Sequence, residues 1–468
     1  MNGLRNVAKK YVIAVDVGTT TIRACLFDQK CHLLTQAERP VPLELNGAEL
    51  KGLHAEIDPD LLWDAFCTVC KEIMAKVDDV HSIASMGISC QRNTFICWNK
   101  DNGEPCHKLV TWKDCRAREQ CDRWNRSLIL KSSEMRMLLQ SEKLVFGCLD
   151  TWLIYKLTNG GVHVTEPSSA SSTGLFDPYI RFVQMNWGYI ILWLISFPLS
   201  LLPRHTFTAG VPLAVCDRRI FGFPLSIGSV AGDQQAALFA SGCWRRGDVN
   251  ICLGTGSFLD LNTGNRPIAS MRGLYPLVGW RLPNMLSFVA EGCSHDTALP
   301  LKWARSIGLF DDVAQTSSIA AKTPHTDLCF VPAFGGLQTP INDTNACCAF
   351  LGLRADTSKE HMLRAILESI AFRMYQIWNA VLKEITFETI STLVNRPVQR
   401  ISEQSFASAR GVAMMAGITA GMWKKSDLDD MIQIDKTFTP RIDERSTLLN
   451  AFRRWEHNIK RCLHYYDT

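Results

Sequence analysis

One short phrase occurs twice in this chain. Tyr11 to Asp28 (YVIAVDVGTTTIRACLFD) and Asp248 to Asn262 (DVNICLGTGSFLDLN) each read as apolar strand, Gly-Thr turn and returning strand. Gly18-Thr19 and Gly254-Thr255 lie 236 residues apart, half of the 468-residue chain (254 minus 18). A glycine turn lined by hydroxyls lets backbone N–H groups and Thr Oγ atoms surround a phosphate oxygen. Asp16, beside the first turn, is an acid able to hold Mg²⁺ directly or through water. Arg23 adds a cation where phosphate charge would lie. The alternative is an ordinary hairpin with a polar tip. It is not a Walker loop, since no Gly-Lys-Thr/Ser follows. The repetition argues for a duplicated fold with one such hairpin in each half.

The length allows two domains, each with its own core. A net charge of +4 without a basic run argues against nucleic acid. The 18 cysteines are scattered, many in apolar runs, as at Cys25, Cys90, Cys97 and Cys252. Such thiols are usually buried and reduced. With no apolar signal region at the N-terminus, a cytoplasmic, disulfide-free protein is expected. Cys67 and Cys70 form a CxxC inside a helical pattern with no partner pair, so core packing is the expectation. Trp187 to Leu202 is uncharged, but it is 16 residues long and Pro198 interrupts it. A bilayer span needs about 20 apolar residues. A buried helix and no membrane span are expected there.

Asp58 should cap a helix from Leu61 to about Lys76, with Pro59 at its first position. Strands are expected at Ile83 to Ser89 and Thr94 to Trp98, and a helix from Asp150 to Leu157. Ser226 to Ala231 should be a strand running into Gly232-Asp233-Gln234-Gln235, with helix to Ala240. An acid after a strand, preceded by Gly, can project into a cleft as a general base; alternatively Asp233 is a helix N-cap. Trp244 to Gly247 reads as a linker. Residues 358 to 385 carry the clearest helical stripe: Leu363, Ile366, Ile370, Met374, Ile377 and Val381. Ala409 to Trp423 is rich in small residues and should pack closely against a sheet or helix.

DVGTTTIR (16–23), GISCQRNTFICWN (87–99), TWKDCR (111–116), FGCLDTWLIYKLTNG (146–160) and SSASSTGLFD (168–177) run in one order. VAGDQQAALF (230–239), GTGSFLDLNTG (254–264), FVPAFGGLQTP (330–340) and HMLRAILESIAFR (361–373) continue it. On these motifs the chain resembles the FGGY carbohydrate kinases, of the glycerol kinase type and its divergent animal branch. The resemblance implies an α/β fold: two duplicated actin-like, ribonuclease-H-like domains with mixed sheets flanked by helices and a cleft between them. The domains would cover 11–240 and 247–424, with a helical tail at 425–468. The implied activity is transfer of the ATP γ-phosphate, with Mg²⁺, to a small polyol, first of all glycerol. By the match, Asp233 is the catalytic base. Arg92, Asn93 and Gln234 meet polyol hydroxyls, and Trp112 walls the carbon chain. Thr19, Thr20, Thr21, Arg23, Thr255, Ala298 and Lys302 meet the nucleotide, and Asp16 organises Mg²⁺. A homo-oligomer stays open.

The chain departs from that pattern at several points. Asn93 stands where the type has Glu, and Ala298 and Lys302 where it has Gly and Gln. A Tyr-bearing segment is missing around Arg123 to Val145. The Asp-Gly-Gly adenosine motif after the long helix is absent, and no glycine occurs from Leu353 to Arg410. A chain turning sharply beneath a purine normally needs one. An incomplete nucleoside pocket is therefore expected. A pentulose kinase and a non-catalytic binding relative are the alternative readings.

Overall fold

A computed structural model describes residues 9–46, 54–114, 116, 137–139, 141–179, 186–188, 192–193, 197–384, 398–439 and 445–466. The first hairpin forms as expected, from β1 (Tyr11–Val17) and β2 (Thr21–Phe27), and β3 (Leu33–Pro40) extends it. On the other side of β1 lie β4 (Ile83–Cys90), β5 (Ala214–Val215) and β6 (Ser226–Gly232). The six strands run in the order β5-β6-β4-β1-β2-β3, a mixed sheet in which β6, β4 and β1 are parallel.

Side chains alternate across β1. Ile13, Val15 and Val17 face α1 (Pro59–Met74), which buries Leu62, Phe66 and Val69 against them. Asp58 caps α1 by accepting the amides of Asp60 (3.0 Å) and Leu61 (3.1 Å), with Pro59 at the first position. Cys70 sits in this core and burial pushes its thiol well up, so the CxxC is packing. The described cysteines are free thiols, most of them buried. On the opposite face Val12 and Ala14 belong to a second core, which also takes in Leu238 and Phe239 of α2 (Asp233–Ala240), the helix that follows β6 directly.

The second hairpin is β7 (Val249–Leu253) and β8 (Ser257–Gly264), joined by β9 (Tyr275–Leu282) and β10 (Met285–Ser294). Their order is β7-β8-β10-β9, antiparallel throughout. After β10 comes α3 (Ala298–Ser306). The long helix α4 (Lys359–Glu384) lays Met374, Ile377 and Val381 on Leu259, Leu261 and Ala290. Next, α5 (Ala407–Thr419) lies on the first sheet, not the second. Its small residues permit this. A Cβ at Gly87 would overlap the Val412 carbonyl, and one at Gly411 would overlap the Ala236 carbonyl. Ser229 Oγ donates to the Val412 carbonyl at 2.7 Å, which fixes the approach.

One expectation needs correction. Trp187 to Leu202 is not a single buried helix. Asn186–Trp187 pairs as a short strand with Phe176–Asp177, and Leu199–Leu201 is one turn of 3-10 helix. Trp187 packs edge-on against Phe176 and donates its Nε1 to the Pro203 carbonyl at 3.0 Å, while residues 192–193 are helical and the Leu192 amide donates to the Gly188 carbonyl at 3.0 Å. Residues 189–191 and 194–196 lie outside the described residues. No helix among the described residues is long and apolar enough to cross a membrane.

Candidate active site

The β1–β2 turn closes through the Gly18 amide, which donates to the Thr21 carbonyl at 3.0 Å. Trp112 Nε1 donates to Thr19 Oγ1 at 2.9 Å, so this indole has a polar tie to the hairpin as well as an apolar face. Thr20 is exposed, and its carbonyl accepts the Val41 amide at 2.9 Å. Arg23 faces elsewhere. Its Nε meets Glu38 at 3.0 Å, its Nη1 donates to the Ser405 carbonyl at 2.9 Å, and its guanidinium lies 5.0 Å from the Phe406 ring.

The β7–β8 turn is tied to α3, whose Ala298 amide donates to the Thr255 carbonyl at 3.2 Å. Trp112 joins the two halves here, with its ring 5.5 Å from that of His295 at the end of β10. Lys113 Nζ lies 5.3 Å from the Trp112 ring. Burial, then the charge of Lys302 on α3, holds Lys113 below the usual lysine range.

Register sets the floor of the cleft. Asp16, next to last in β1, stands opposite Arg23 on one side and Ser89 on the other. Its Oδ1 is buried and finds no partner among the described residues. Burial, then the neighbouring Asp233 carboxylate, pushes Asp16 up to about 6. Asp233 opens α2 directly after β6; the N-cap is Gly232, so Asp233 is a first-turn residue and not the cap. Its Oδ1 accepts the Gln234 amide at 2.9 Å. A Cβ on Gly232 would strike the stem of Arg92, so glycine is required for the two to pass.

Arg92 bridges the halves. Its Nε is 3.7 Å from Asp233 Oδ1, its Nη2 is 2.6 Å from Glu291 Oε2 on β10, and its guanidinium lies 5.7 Å from the Phe258 ring. Burial works against the Arg92 charge, but Glu291, then Asp233 and Asp260, outweigh it and hold the guanidinium above its usual range. Burial raises Asp233, and Arg92 opposes that rise. Arg92 Nη1 and Gln234 Oε1 are buried without partners among the described residues. Arg92, Asp233 and Glu291 thus form a buried charged cluster in which one donor, Arg92 Nη1, is unspent, and Gln234 adds an unpaired acceptor. Asn93 stands apart, exposed at a left-handed turn position with φ 56°. Asn tolerates that backbone better than most residues.

Sequence reasoning missed Glu291, Phe258 and Asp260. Phe258 follows the Gly-Thr-Gly turn and could have been read as an apolar wall. The acids of β8 and β10 become neighbours only through a strand register that no local pattern announces. The adenosine-motif gap at 385–397 lies outside the described residues, as does most of the missing Tyr segment.

Family models for the FGGY carbohydrate kinases match both halves, the N-terminal domain at residues 11–142 and the C-terminal domain at 249–393. Glycerol kinase 5 of Danio rerio is 35% identical over 524 aligned residues, covering 98% of this chain and 97% of the relative. The chain belongs to the FGGY family of carbohydrate kinases. Glycerol kinase of Natranaerobius thermophilus is 29% identical, covering 97% of this chain and 99% of the relative. Among solved structures, Plasmodium falciparum glycerol kinase with ADP superposes with a TM-score of 0.84 at 22% identity, covering 97% of this chain and 98% of that one. A ligand-bound xylulose kinase of Lactobacillus acidophilus follows at 0.78 and 21%, covering 96% and 97%. The fold is therefore the two-domain FGGY fold, and this carbohydrate kinase is a phosphotransferase acting on a sugar or polyol.

The residues present fit a Mg²⁺ ion bound together with phosphate. Among the described residues no cluster of three or more His, Cys, Asp or Glu could hold a metal ion by itself. Mg²⁺ commonly takes one or two carboxylates, with waters and substrate phosphates completing its shell. Asp16, with its unpartnered Oδ1, offers one such carboxylate.

Proposed function

We propose that this FGGY kinase phosphorylates glycerol, with ATP as donor, in the cytoplasm. The observation that carries the reading is Arg92, fixed between Asp233 and Glu291 with Nη1 unspent, while Gln234, the residue after Asp233, keeps an open Oε1. An open donor on Arg92, whose guanidinium lies 5.7 Å from the Phe258 ring, and an open acceptor on Gln234 suit a short polyol. In this reading Arg92 and Gln234 bind two hydroxyls, and Asp233 takes the proton from a third as it attacks. An ionised Asp233 is required, and the adjacent guanidinium favours it. Thr19 and Thr255 line the phosphate path, while Lys113 and Lys302 supply the positive charge that Arg23 spends on Glu38. Asp16 holds Mg²⁺, which when bound screens the phosphate charge. Positioning and charge neutralisation of this kind account for most phosphoryl-transfer catalysis. A ketose kinase is the second reading, favoured by neutral, outward-facing Asn93.

A coupled kinase assay across glycerol, other short polyols and several ketoses tests this. Turnover should be highest with glycerol. Activity on a ketose alone would sink the glycerol assignment.

A further inference from the structure

One buried carboxylate in the cleft has no part in the steps above. Asp260 on β8 is the direct cross-strand partner of Glu291 on β10, and both are buried. Antiparallel partners in register place their side chains on the same face, within contact reach. Asp260 Oδ2 is buried and meets no donor among the described residues. Asn250, across from Asp260 on β7, does not serve it: its amide turns to Cys252 Sγ at 3.6 Å and its carbonyl accepts Ser241 Oγ at 3.1 Å. One guanidinium faces three acids, Asp233, Asp260 and Glu291. Leaving that excess negative charge in a dry site is costly, and buried acids in such places take up a proton instead.

We propose that Asp260 is a positioning residue: as a neutral acid it donates its O–H to Glu291, fixing the carboxylate that aims Arg92 at the substrate. The inference rests on the reading of Arg92 as the polyol-binding residue. Burial, then the charge of Glu291, drives Asp260 well above the usual carboxylate range, while Arg92 opposes this. The Cys243 and Cys252 thiols also face it, each pushed up to about 12 by burial, so they stay neutral at physiological pH. Glu291 with one donor on each side is then a single, oriented counter-ion for Arg92. Ionisation of Asp260 as pH is raised would remove that donor, set two anions side by side and loosen Arg92. Polyol KM should rise on the alkaline limb more than kcat falls.

The test uses the full chain and its Asp260→Asn and Asp260→Leu variants. Infrared difference spectra recorded above the ordinary carboxylate range, wild type minus Asp260→Asn, should contain a protonated-carboxyl C=O band. Asn can donate to Glu291 as the neutral acid does, so Asp260→Asn should keep polyol KM within about twofold and abolish its alkaline rise. Asp260→Leu removes the donor and should raise KM on the order of 10- to 100-fold. Absence of the band, or a KM for Asp260→Asn as high as for the Leu variant, would overturn the proposal. Should the wild type turn over no polyol, the kinase reading fails, and the infrared band alone decides for or against a neutral Asp260.

Discussion

Asp233 has two neighbours pulling on its proton: the dry cleft favours the neutral acid and Arg92 the anion. Only the anion can act as a base. Asp233→Asn should therefore lower turnover by about 10²–10⁴-fold, the usual loss when a general base is removed. Asn Oδ1 can still accept the Gln234 amide, so the thermal unfolding midpoint should stay near that of wild type. Full turnover in the variant would show that Asp233 only closes the first turn of α2. This residue was legible in the sequence, because a strand, a glycine and an acid in that order announce a side chain entering a cleft. Arg23 was misleading at the same scale. Its position beside the hairpin was read correctly, but Glu38 and the Ser405 carbonyl compete for its charge, and neither is a local neighbour. Asp260 and Glu291 were illegible for a related reason: alternation along a strand gives the face, never the partner across it.

At the scale of elements, both hairpins and α1 were readable, since turn chemistry and capping are local. The Ala- and Gly-rich stretch of α5 announced close packing but not which sheet it would meet. Its cost is testable. Gly411→Val would drive a side chain into the Ala236 backbone, which cannot swing aside as a flexible side chain would. Overpacking of this kind costs about 1–3 kcal/mol, and the rigid target places Gly411→Val at the upper end, near 3 kcal/mol in urea unfolding. Because α2 carries Asp233, turnover should fall with it. A loss below about 1 kcal/mol would mean that the helices separate easily, contrary to this packing. A second element steadies the same turn. Glu166 caps the helix Pro167–Ser172, accepting the Ser168 amide at 2.9 Å and Thr208 Oγ1 at 3.1 Å, while Ser168 Oγ accepts the Gly232 amide at 2.8 Å. Burial, then Asp150, pushes Glu166 up from 4.5 to about 7. The folded state keeps a proton there that the unfolded chain releases. Its contribution is complete below the unfolded value near 4.5 and is lost as pH rises through 7, by about 3 kcal/mol. Glu166→Gln should flatten that slope in denaturant unfolding between pH 4.5 and 7.5. An unchanged slope would mean that Glu166 is ionised throughout.

For the whole molecule, the two halves meet at several places, among them α5 on the first sheet and the tie from Arg23 to the Ser405 carbonyl. Arg92 and Trp112 reach across from the first half to Glu291 and His295 of the second. In the proposed reading the triphosphate is held by Thr19 and Thr255 of the two hairpins, and both are present. The base half of a nucleotide site has different requirements. It needs a backbone that turns closely beneath a purine, and the chain has no glycine from Leu353 to Arg410 to make that turn. Phosphates are common to ATP and GTP, whereas only the base edge distinguishes them. Binding should therefore be weak and nearly indifferent to the base, with Mg-ATP and Mg-GTP affinities within about tenfold, a difference of roughly 1.4 kcal/mol. Loss of the base contacts also loosens the aim of the γ-phosphate, and a misplacement of about 1 Å can cost on the order of 10²-fold in rate. Calorimetric titration of the full chain with each nucleotide measures this. Tight binding with a strong preference for ATP would place a base pocket between residues 353 and 424 that the glycine argument misses.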